Sequence, residues 1–349
     1  MSDRARLAIY WAAGCGGCEI SVLNLHEQLL DVIALADVVF CPALVDTKRA
    51  DVEAMPDAGE PGSIDVCLLN GAMRTSENIE MAHLLRRKSR VLIAYGSCSN
   101  SGCVPGLANL TGVEDILRTV YTTRPSGDNP GGTVPRQHIP VTEGALELPL
   151  LAERVVPLHE VVPVDYAIPG CPPEPAATAP VLTGLLHALT TGGELPPPGS
   201  VLGAGPSTVC VECSRRREGK IITAFRRNHL VDPDPELCLL EQGLVCMGIA
   251  TREGCGALCP AVNMPCIGCY GPPAGVRDQG AAMVGALGAA IDVAPAVGTG
   301  DDGPAAYADS VLDGIPDWTG SLYKFSLAAS RVETVANRHR ARGEHHAPE

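Results

Sequence analysis

Residues Leu7–Glu19 read LAIYWAAGCGGCE: an apolar strand pattern runs into a turn rich in glycine and cysteine, and a helical pattern follows. Apolar runs and helical segments alternate in this way through the first half of the chain. The apolar runs are Leu7–Trp11, Val38–Pro42, Ile64–Leu69, Val91–Tyr95 and Val164–Ile168; the helical segments are Glu19–Leu30, Thr75–Lys88 (capped by Thr75 or Ser76), Val113–Val120 and Pro175–Leu189. This alternation predicts an α/β fold with a parallel sheet covered by helices on both faces.

Four cysteines follow the ends of three of these predicted strands. Cys15 and Cys18 lie in GCGGCE after the first strand, Cys98 in YGSCS after the fourth, and Cys171 in IPGCPP after the fifth. Loops at the carboxyl ends of parallel strands face one crevice, so we expect these thiols to meet there as a four-sulfur metal site. The glycines would let backbone N–H groups approach the site closely.

Several residues near these motifs have competing interpretations. Cys103 competes with Cys98 as a ligand, and we favour Cys98 because it follows its strand directly. Cys41 and Cys67 fall in or beside apolar runs, which favours small buried side chains over metal ligands. Glu19 is predicted to be a carboxylate in the first turn of a helix, where it complements the helix dipole, and a role in proton movement is the alternative.

A second set of cysteines follows a segment rich in proline and glycine at residues 192–206. Eight sulfur ligands are enough for two further four-ligand sites, and all-sulfur ligation suits zinc or iron–sulfur clusters. The set lies in a segment with little helical or strand periodicity, which we expect metal sites rather than an apolar core to hold together. Its members are Cys210, Cys213, Cys238, Cys246, Cys255, Cys259, Cys266 and Cys269.

Composition narrows the classes of function. The 349 residues carry 26 basic and 40 acidic side chains, a net charge of −14, which disfavours binding to nucleic acid or to an anionic membrane surface. We expect no membrane span, because the apolar stretches are interrupted before the required ~20 residues. The N-terminus lacks a secretory pattern, so we expect a cytoplasmic protein, in which the cysteines are thiolate ligands or free thiols rather than disulfides.

The motifs together resemble the small, electron-transferring subunit of nickel–iron hydrogenases. They are W-x3-C-G-G-C from Trp11, Y-G-S-C from Tyr95, P-G-C-P-P from Pro169 and the cysteine-dense second half. The resemblance covers about residues 5–275 and is strongest to the cytoplasmic, methyl-viologen-reducing branch that is linked to heterodisulfide reductase. It implies a flavodoxin-like domain at residues 1–191 and an irregular iron–sulfur domain at 207–275. From composition we expect a linker rich in proline and glycine at 192–206 and a C-terminal extension at 276–349 with a disordered end.

The resemblance also implies three 4Fe–4S clusters, whose expected ligands follow. The proximal cluster would take Cys15, Cys18, Cys98 and Cys171; the distal cluster Cys210, Cys213, Cys238 and Cys246; and the medial cluster Cys255, Cys259, Cys266 and Cys269. Many relatives have a proline at one medial position and hold a 3Fe–4S centre there, whereas Cys259 would make this one 4Fe–4S.

The expected partners are a nickel–iron large subunit, which holds the hydrogen-splitting site, and an electron-accepting iron–sulfur or flavin protein such as a heterodisulfide-reductase-type complex. We expect no catalysis by this chain alone, since it lacks the motifs that hold nickel and iron. A small subunit of a deazaflavin- or NAD-reducing hydrogenase is the alternative, and a zinc-stapled scaffold protein is a further one. The run Arg215–Arg217 is either a docking patch for the acceptor or a solvated face.

Overall fold

The first half of the chain folds into a parallel sheet in this computed structural model, which describes residues 4–291 and 303–334. The strands are β1 (Ala5–Trp11), β2 (Ala36–Phe40), β3 (Ile64–Asn70), β4 (Met73–Thr75), β5 (Ser89–Tyr95), β6 (His138–Val141), β7 (Gly144–Glu147), β8 (Leu151–Val156), β9 (Tyr166–Ile168) and β10 (Ser200–Val201). Six of them form one all-parallel sheet in the order β10-β9-β5-β3-β1-β2. Within it, β2-β1-β3-β5-β9 reproduces the flavodoxin-like order, which confirms the predicted fold class.

The helices differ from the predicted ones mainly near the N-terminus. They are α1 (Gly17–Leu23), α2 (Gln28–Leu35), α3 (Arg49–Ala54), α4 (Ser76–Lys88), α5 (Ser97–Ser101), α6 (Val113–Arg118), α7 (Pro175–Thr191), α8 (Leu258–Ala261), α9 (Gln279–Ala290), α10 (Gly303–Leu312) and α11 (Trp318–Leu322). The single helix predicted over Glu19–Leu30 is wrong. His26 adopts a left-handed φ of 53°, which interrupts the helix and separates α1 from α2.

The central sheet is buried on both faces, because alternate side chains of each strand enter two separate cores. In β3, Val66 and Leu68 belong to the core covered by α1, α2 and α7, whereas Cys67 and Leu69 belong to the core covered by α3 and α4. All four side chains are fully buried. A strand buried on both faces reads as a continuous apolar run, which is why these strands could be recognised in the sequence.

The start of α4 illustrates how local sequence fixes an element. The Thr75 hydroxyl accepts a hydrogen bond from the Asn78 backbone N–H at 3.2 Å, and the Asn78 side chain accepts one from the Thr75 N–H at 3.2 Å. These reciprocal bonds satisfy two backbone donors that the first helical turn leaves free. The predicted cap at Thr75 is confirmed.

The cysteine-rich segment is irregular, as expected, but it does have an apolar core. Residues 207–275 are all described and contain no β-strand, only short 3₁₀ helices and α8. Val209, Phe225 and Met247 from this segment pack with Met283 of α9 and Val311 of α10. The C-terminal extension therefore supplies half of a core that we did not expect from the sequence.

Two further expectations concern the flanks of this segment. The stretch at 192–206 contributes β10, which pairs with β9, so part of the expected linker belongs to the sheet. The expected disordered end, residues 335–349, lies outside the described residues. Across residues 4–291 and 303–334, no helix combines the length and hydropathy needed to cross a bilayer.

Candidate metal centres

The four cysteines that follow strand ends line one cavity at the carboxyl edge of the sheet. Cys15 and Cys18 lie beyond β1 at the start of α1, Cys98 lies in α5 directly after β5, and Cys171 follows β9. Asn70 and Gly71, at the end of β3, also line the cavity. The sheet thus brings together the four residues that the strand-end argument grouped. We call this set group 1.

Glycine at position 96 leaves the room that group 1 needs. Gly96 adopts a φ of +83°, which side-chain-bearing residues rarely take, and it immediately follows β5. A Cβ atom placed on it would collide with the Sγ atom of Cys18. The backbone therefore approaches the sulfur atoms more closely than any other residue type would allow.

The crowding of buried thiols in group 1 favours a bound cation. Burial raises the pKa of the Cys18 thiol, and the neighbouring sulfurs of Cys98, Cys171 and Cys15 raise it further by mutual repulsion. Without a cation, such thiols resist ionisation together. A bound metal reverses this, because thiolates are its ligands and binding releases their protons.

Cys103 lies behind this cavity rather than in its lining. Its side chain is fully buried, and its Sγ atom lies 3.7 Å from the Sγ atom of Cys171. A hydrogen bond from Cys103 lowers the pKa of Cys171 to about 7, and hydrogen bonds to Cys171 and Cys98 raise the pKa of Cys103 itself. Cys103 is thus placed to donate its S–H group to Cys171, whereas Cys98 lines the cavity, as the sequence argument favoured.

The other two cysteines of the sheet domain have no place in the cavity. Cys41 is 2% exposed and belongs to one core of the sheet, and Cys67 is fully buried in the other. Both predictions of small buried side chains are confirmed. Glu19 lies in the first turn of α1, as predicted, and burial raises the pKa of its carboxyl group.

Four cysteines of the irregular segment line a second cavity, and we call these four cysteines group 3. Cys210, Cys213, Cys238 and Cys246 line it together with Gly248. Burial raises the pKa of Cys246 to about 11, while the N–H groups of Gly248 and Cys266 lower it by hydrogen bonding to the sulfur. A Cβ atom at Gly248 would lie 3.5 Å from the Cys210 Sγ atom, so this glycine also faces the sulfurs.

The remaining four cysteines lie close together and form group 2: Cys255, Cys259, Cys266 and Cys269. Burial raises the pKa of Cys269 to about 12, and its neighbours Cys255 and Cys259 raise it further. The pKa of Cys266 is also raised, first by burial, then by Cys246 of group 3 and, less, by Cys269. The division of the eight cysteines of residues 207–275 into these two ligand sets stays a prediction.

Two backbone N–H groups place these three groups in a row. The N–H group of Cys171, in group 1, donates a hydrogen bond to the sulfur of Cys269, in group 2. The N–H group of Cys266, in group 2, donates to the Sγ atom of Cys246, in group 3, over 3.3 Å. Group 2 therefore lies between the other two.

Ser97 joins the sheet to the irregular segment at the first of these contacts. Its hydroxyl donates a hydrogen bond to the Cys269 carbonyl oxygen and accepts one from the Gly170 N–H at 3.2 Å. Nearby, the Tyr270 hydroxyl accepts a hydrogen bond from the Glu174 N–H at 3.1 Å. Sequence analysis missed these residues, since a serine inside a cysteine motif gives no signal of its long-range partner.

The structure corrects the expectation of a docking patch at Arg215–Arg217. The Arg215 guanidinium is buried and donates to the carbonyl oxygens of Pro260, Asp234 and Leu237. Arg216 forms ion pairs with carboxylates of its own segment. Arg215 and Arg217 both line the group 3 cavity, but Arg215 is buried whereas Arg216 and Arg217 are exposed. The three side chains therefore do not form one surface.

Groups 1 and 3 each line a cavity. Within residues 4–291 and 303–334, no three His, Cys, Asp or Glu side chains are arranged to hold one metal ion. An all-sulfur donor set with buried thiols and glycine-lined walls fits clusters ligated by four thiolates.

Comparison with known proteins gives consistent matches. A family model described as "NADH ubiquinone oxidoreductase, 20 Kd subunit" matches residues 15–185. The chain is 40% identical to the vhu G subunit of an F420-non-reducing hydrogenase of Methanococcus voltae, over 84% of this chain and 91% of that protein. It is 35% identical to the iron-sulfur G subunit of an F420-non-reducing hydrogenase of Archaeoglobus profundus, over 94% and 97%.

A solved structure also matches part of the chain. It is a chain of an NAD+-reducing [NiFe]-hydrogenase in the H2-reduced state, with 33% sequence identity and a TM-score of 0.45. The match covers 55% of this chain and 96% of that one.

Proposed function

The chain belongs to the family of F420-non-reducing hydrogenase G subunits, and from that premise we propose that it conducts electrons through a nickel–iron hydrogenase as its small subunit. The observation that carries the proposal is the row of three four-cysteine groups joined by N–H···S contacts. A row of electron-carrying sites is what such a subunit requires. Family membership disfavours the alternative of a zinc-stapled scaffold.

We propose that each group holds one 4Fe–4S cluster, which gives twelve cysteine ligands in three sites. When bound, such clusters accept and release electrons. Group 1 takes Cys15, Cys18, Cys98 and Cys171; group 2 takes Cys255, Cys259, Cys266 and Cys269; and group 3 takes Cys210, Cys213, Cys238 and Cys246. They correspond to the proximal, medial and distal positions in turn.

Hydrogen-bond donors around the cysteine sulfurs would tune the three electron-carrying sites. The S–H group of Cys103 and the N–H groups of Cys171, Cys266 and Gly248 donate to cysteine sulfurs. Such bonds stabilise the more negative, reduced state and so tune the potential of each site. Both contacts of the row join a backbone N–H donor to a cysteine sulfur, so each links one site directly to the next.

The large subunit is expected to cover the group 1 cavity. Cys15 is exposed there, and Trp11 packs beside the cysteine turn with 44% of its surface exposed. Ile20 and Leu23 of α1 are 54% and 42% exposed. Apolar side chains left open beside a redox site favour a protein partner that buries them.

The acceptor is proposed to be an iron–sulfur or flavin protein, such as a heterodisulfide-reductase-type complex. The relatives' name describes enzymes that do not reduce F420, which favours a protein acceptor over a deazaflavin coenzyme. An NAD-reducing assembly is the remaining alternative, and the identity of co-purifying subunits distinguishes the two.

The test is an analysis of metal content and spectra of the small subunit purified with its large subunit. We expect about twelve irons and as many sulfides, with electron paramagnetic resonance (EPR) signals of three reduced clusters. Cys259→Ser should convert the group 2 centre to a 3Fe–4S type or make it labile, while Cys41→Ser, in a sheet core, leaves the cluster count unchanged. Stoichiometric zinc without iron would overturn the proposal.

A further inference from the structure

A basic cavity opens beside groups 2 and 3, and none of the functions assigned above accounts for it. It has a volume of about 340 Å³, within the range of ligand-sized pockets. Arg226, Arg227 and His229 line one wall, and Lys324, directly beyond α11, lines the other. These side chains come from segments almost 100 residues apart, so tertiary packing assembles the charge.

The basic side chains of this cavity have no partners among the described residues. Within residues 4–291 and 303–334, Arg226, Arg227, His229 and Lys324 make no ion pair and no side-chain hydrogen bond. By contrast, Arg86 pairs with Asp165 at 2.5 Å and Arg90 with Asp65 at 2.8 Å. The chain has 40 acidic and 26 basic side chains, so a shortage of carboxylates does not explain why these basic side chains are unpaired.

The nearest acidic residue in sequence to Lys324 is already occupied. Asp317 caps α11, and its carboxylate accepts a hydrogen bond from the Gly320 N–H at 2.8 Å. Its carboxylate therefore bonds to the helix backbone and forms no ion pair with Lys324. Among residues 4–291 and 303–334, no ion pair neutralises the charge of the cavity.

The wall that carries the arginines is firmly held. Phe225, directly before Arg226, is 5% exposed and packs in the core with Ile315. The Arg226 N–H donates to the Gly243 carbonyl oxygen at 2.8 Å. The wall that carries the arginines is consequently held in place by its backbone hydrogen bond and by the core.

The cavity reaches both cysteine groups of the irregular segment. Cys266 of group 2 lines it, as do Val245 and Met247 on either side of Cys246 of group 3. The Cys266 N–H to Cys246 Sγ contact of 3.3 Å lies between these lining residues in the fold. A ligand bound in the cavity would therefore lie next to groups 2 and 3.

We propose that this cavity is the docking site for an acidic segment of the electron-accepting partner protein, in place of the Arg215–Arg217 surface. The inference rests on the proposed function. Two cationic walls complement the carboxylates of a peptide segment, and charge complementarity speeds encounter and fixes orientation. No Phe, Tyr or Trp side chain among the described residues lines the cavity on which a flavin or adenine ring could stack, which favours a peptide over a free nucleotide.

The test uses the holo-complex of small and large subunits and the acceptor protein that co-purifies with it. R226E/R227E should weaken acceptor binding at least tenfold at low ionic strength, measured by isothermal titration calorimetry. The difference should shrink at high salt, which screens charges beyond a few ångströms. R226Q/R227Q should give a smaller loss of the same sign. The matched control, R124E/R136E, makes the same charge change at exposed positions remote in sequence and should bind as wild type.

Two further readouts separate the outcomes. Hydrogen-dependent reduction of a small dye and the EPR spectrum report the proposed function, and both should be unchanged in R226E/R227E. If wild type lacks these signals, the proposed function fails. If they are intact but the acceptor binds R226E/R227E as tightly as wild type, the docking site is overturned. Loss of ATP or inorganic phosphate binding with acceptor binding retained would likewise overturn it in favour of a free anion site.

Discussion

The sheet domain positions its set of four cysteines at the ends of regular strands, whereas the cysteine-rich segment positions two such sets along irregular chain. In residues 5–201, the cysteines follow β1, β5 and β9, and two apolar cores hold those strands whether or not a ligand is present. In residues 207–275, the cysteines are connected by irregular chain that contains no β-strand. We therefore expect the sheet to form without a bound metal and residues 207–275 to depend on one.

The largest effect expected from this difference follows removal of iron. Because metal binding provides folding free energy where little other structure exists, residues 207–275 should lose protection from amide hydrogen exchange in the iron-free chain. Helices α9–α11, which pack on that segment, should lose it too. Strands β1, β3 and β5 should stay protected. Equal loss of protection in both regions would contradict the comparison.

A smaller effect should separate two cysteines of the same loop. Cys98→Ser should lower the iron content by about four atoms, because Cys98 lines the group 1 cavity. Cys103→Ser should retain the iron but alter the EPR signal and midpoint potential of that site, since a hydrogen-bond donor to Cys171 is changed. Iron analysis and redox titration of both variants provide the measurement. Loss of four irons from Cys103→Ser alone would reverse the assignment.

The sequence could predict group 1 because its geometry follows from strand order. Once Cys98 and Cys171 are placed after buried parallel strands, the sheet itself brings their loops to one edge. No such rule governs residues 207–275, where even the division into two sets came from a family resemblance. The contact between Cys269 and Cys171 and the cover provided by α9 depend on long-range packing that leaves no periodic signal in the sequence.

Two neighbouring arginines show how the irregular segment compensates for its lack of regular structure. Arg215 replaces missing strand pairing: its guanidinium donates to the carbonyl oxygens of Pro260, Asp234 and Leu237 over 2.8–2.9 Å and to the Asn263 side chain at 2.5 Å. Arg216 instead forms exposed ion pairs. In the sequence the two residues look like equivalent members of one basic run. In the fold Arg215 is buried and hydrogen-bonded, whereas Arg216 is exposed.

The smallest predicted effect compares these two residues in the iron-loaded protein. Arg215→Ala should lower the free energy of local opening by about 3 kcal/mol, because it removes four hydrogen bonds made by a buried, charged guanidinium group. Arg216→Ala should change it little, since exposed ion pairs contribute little to stability. Amide hydrogen exchange around residues 234–238 and 260–263 measures both. Arg215→Met, which keeps most of the apolar stem, should lose nearly as much as Arg215→Ala if the hydrogen bonds matter, whereas recovery of stability in Arg215→Met would show that Arg215 acts by filling space.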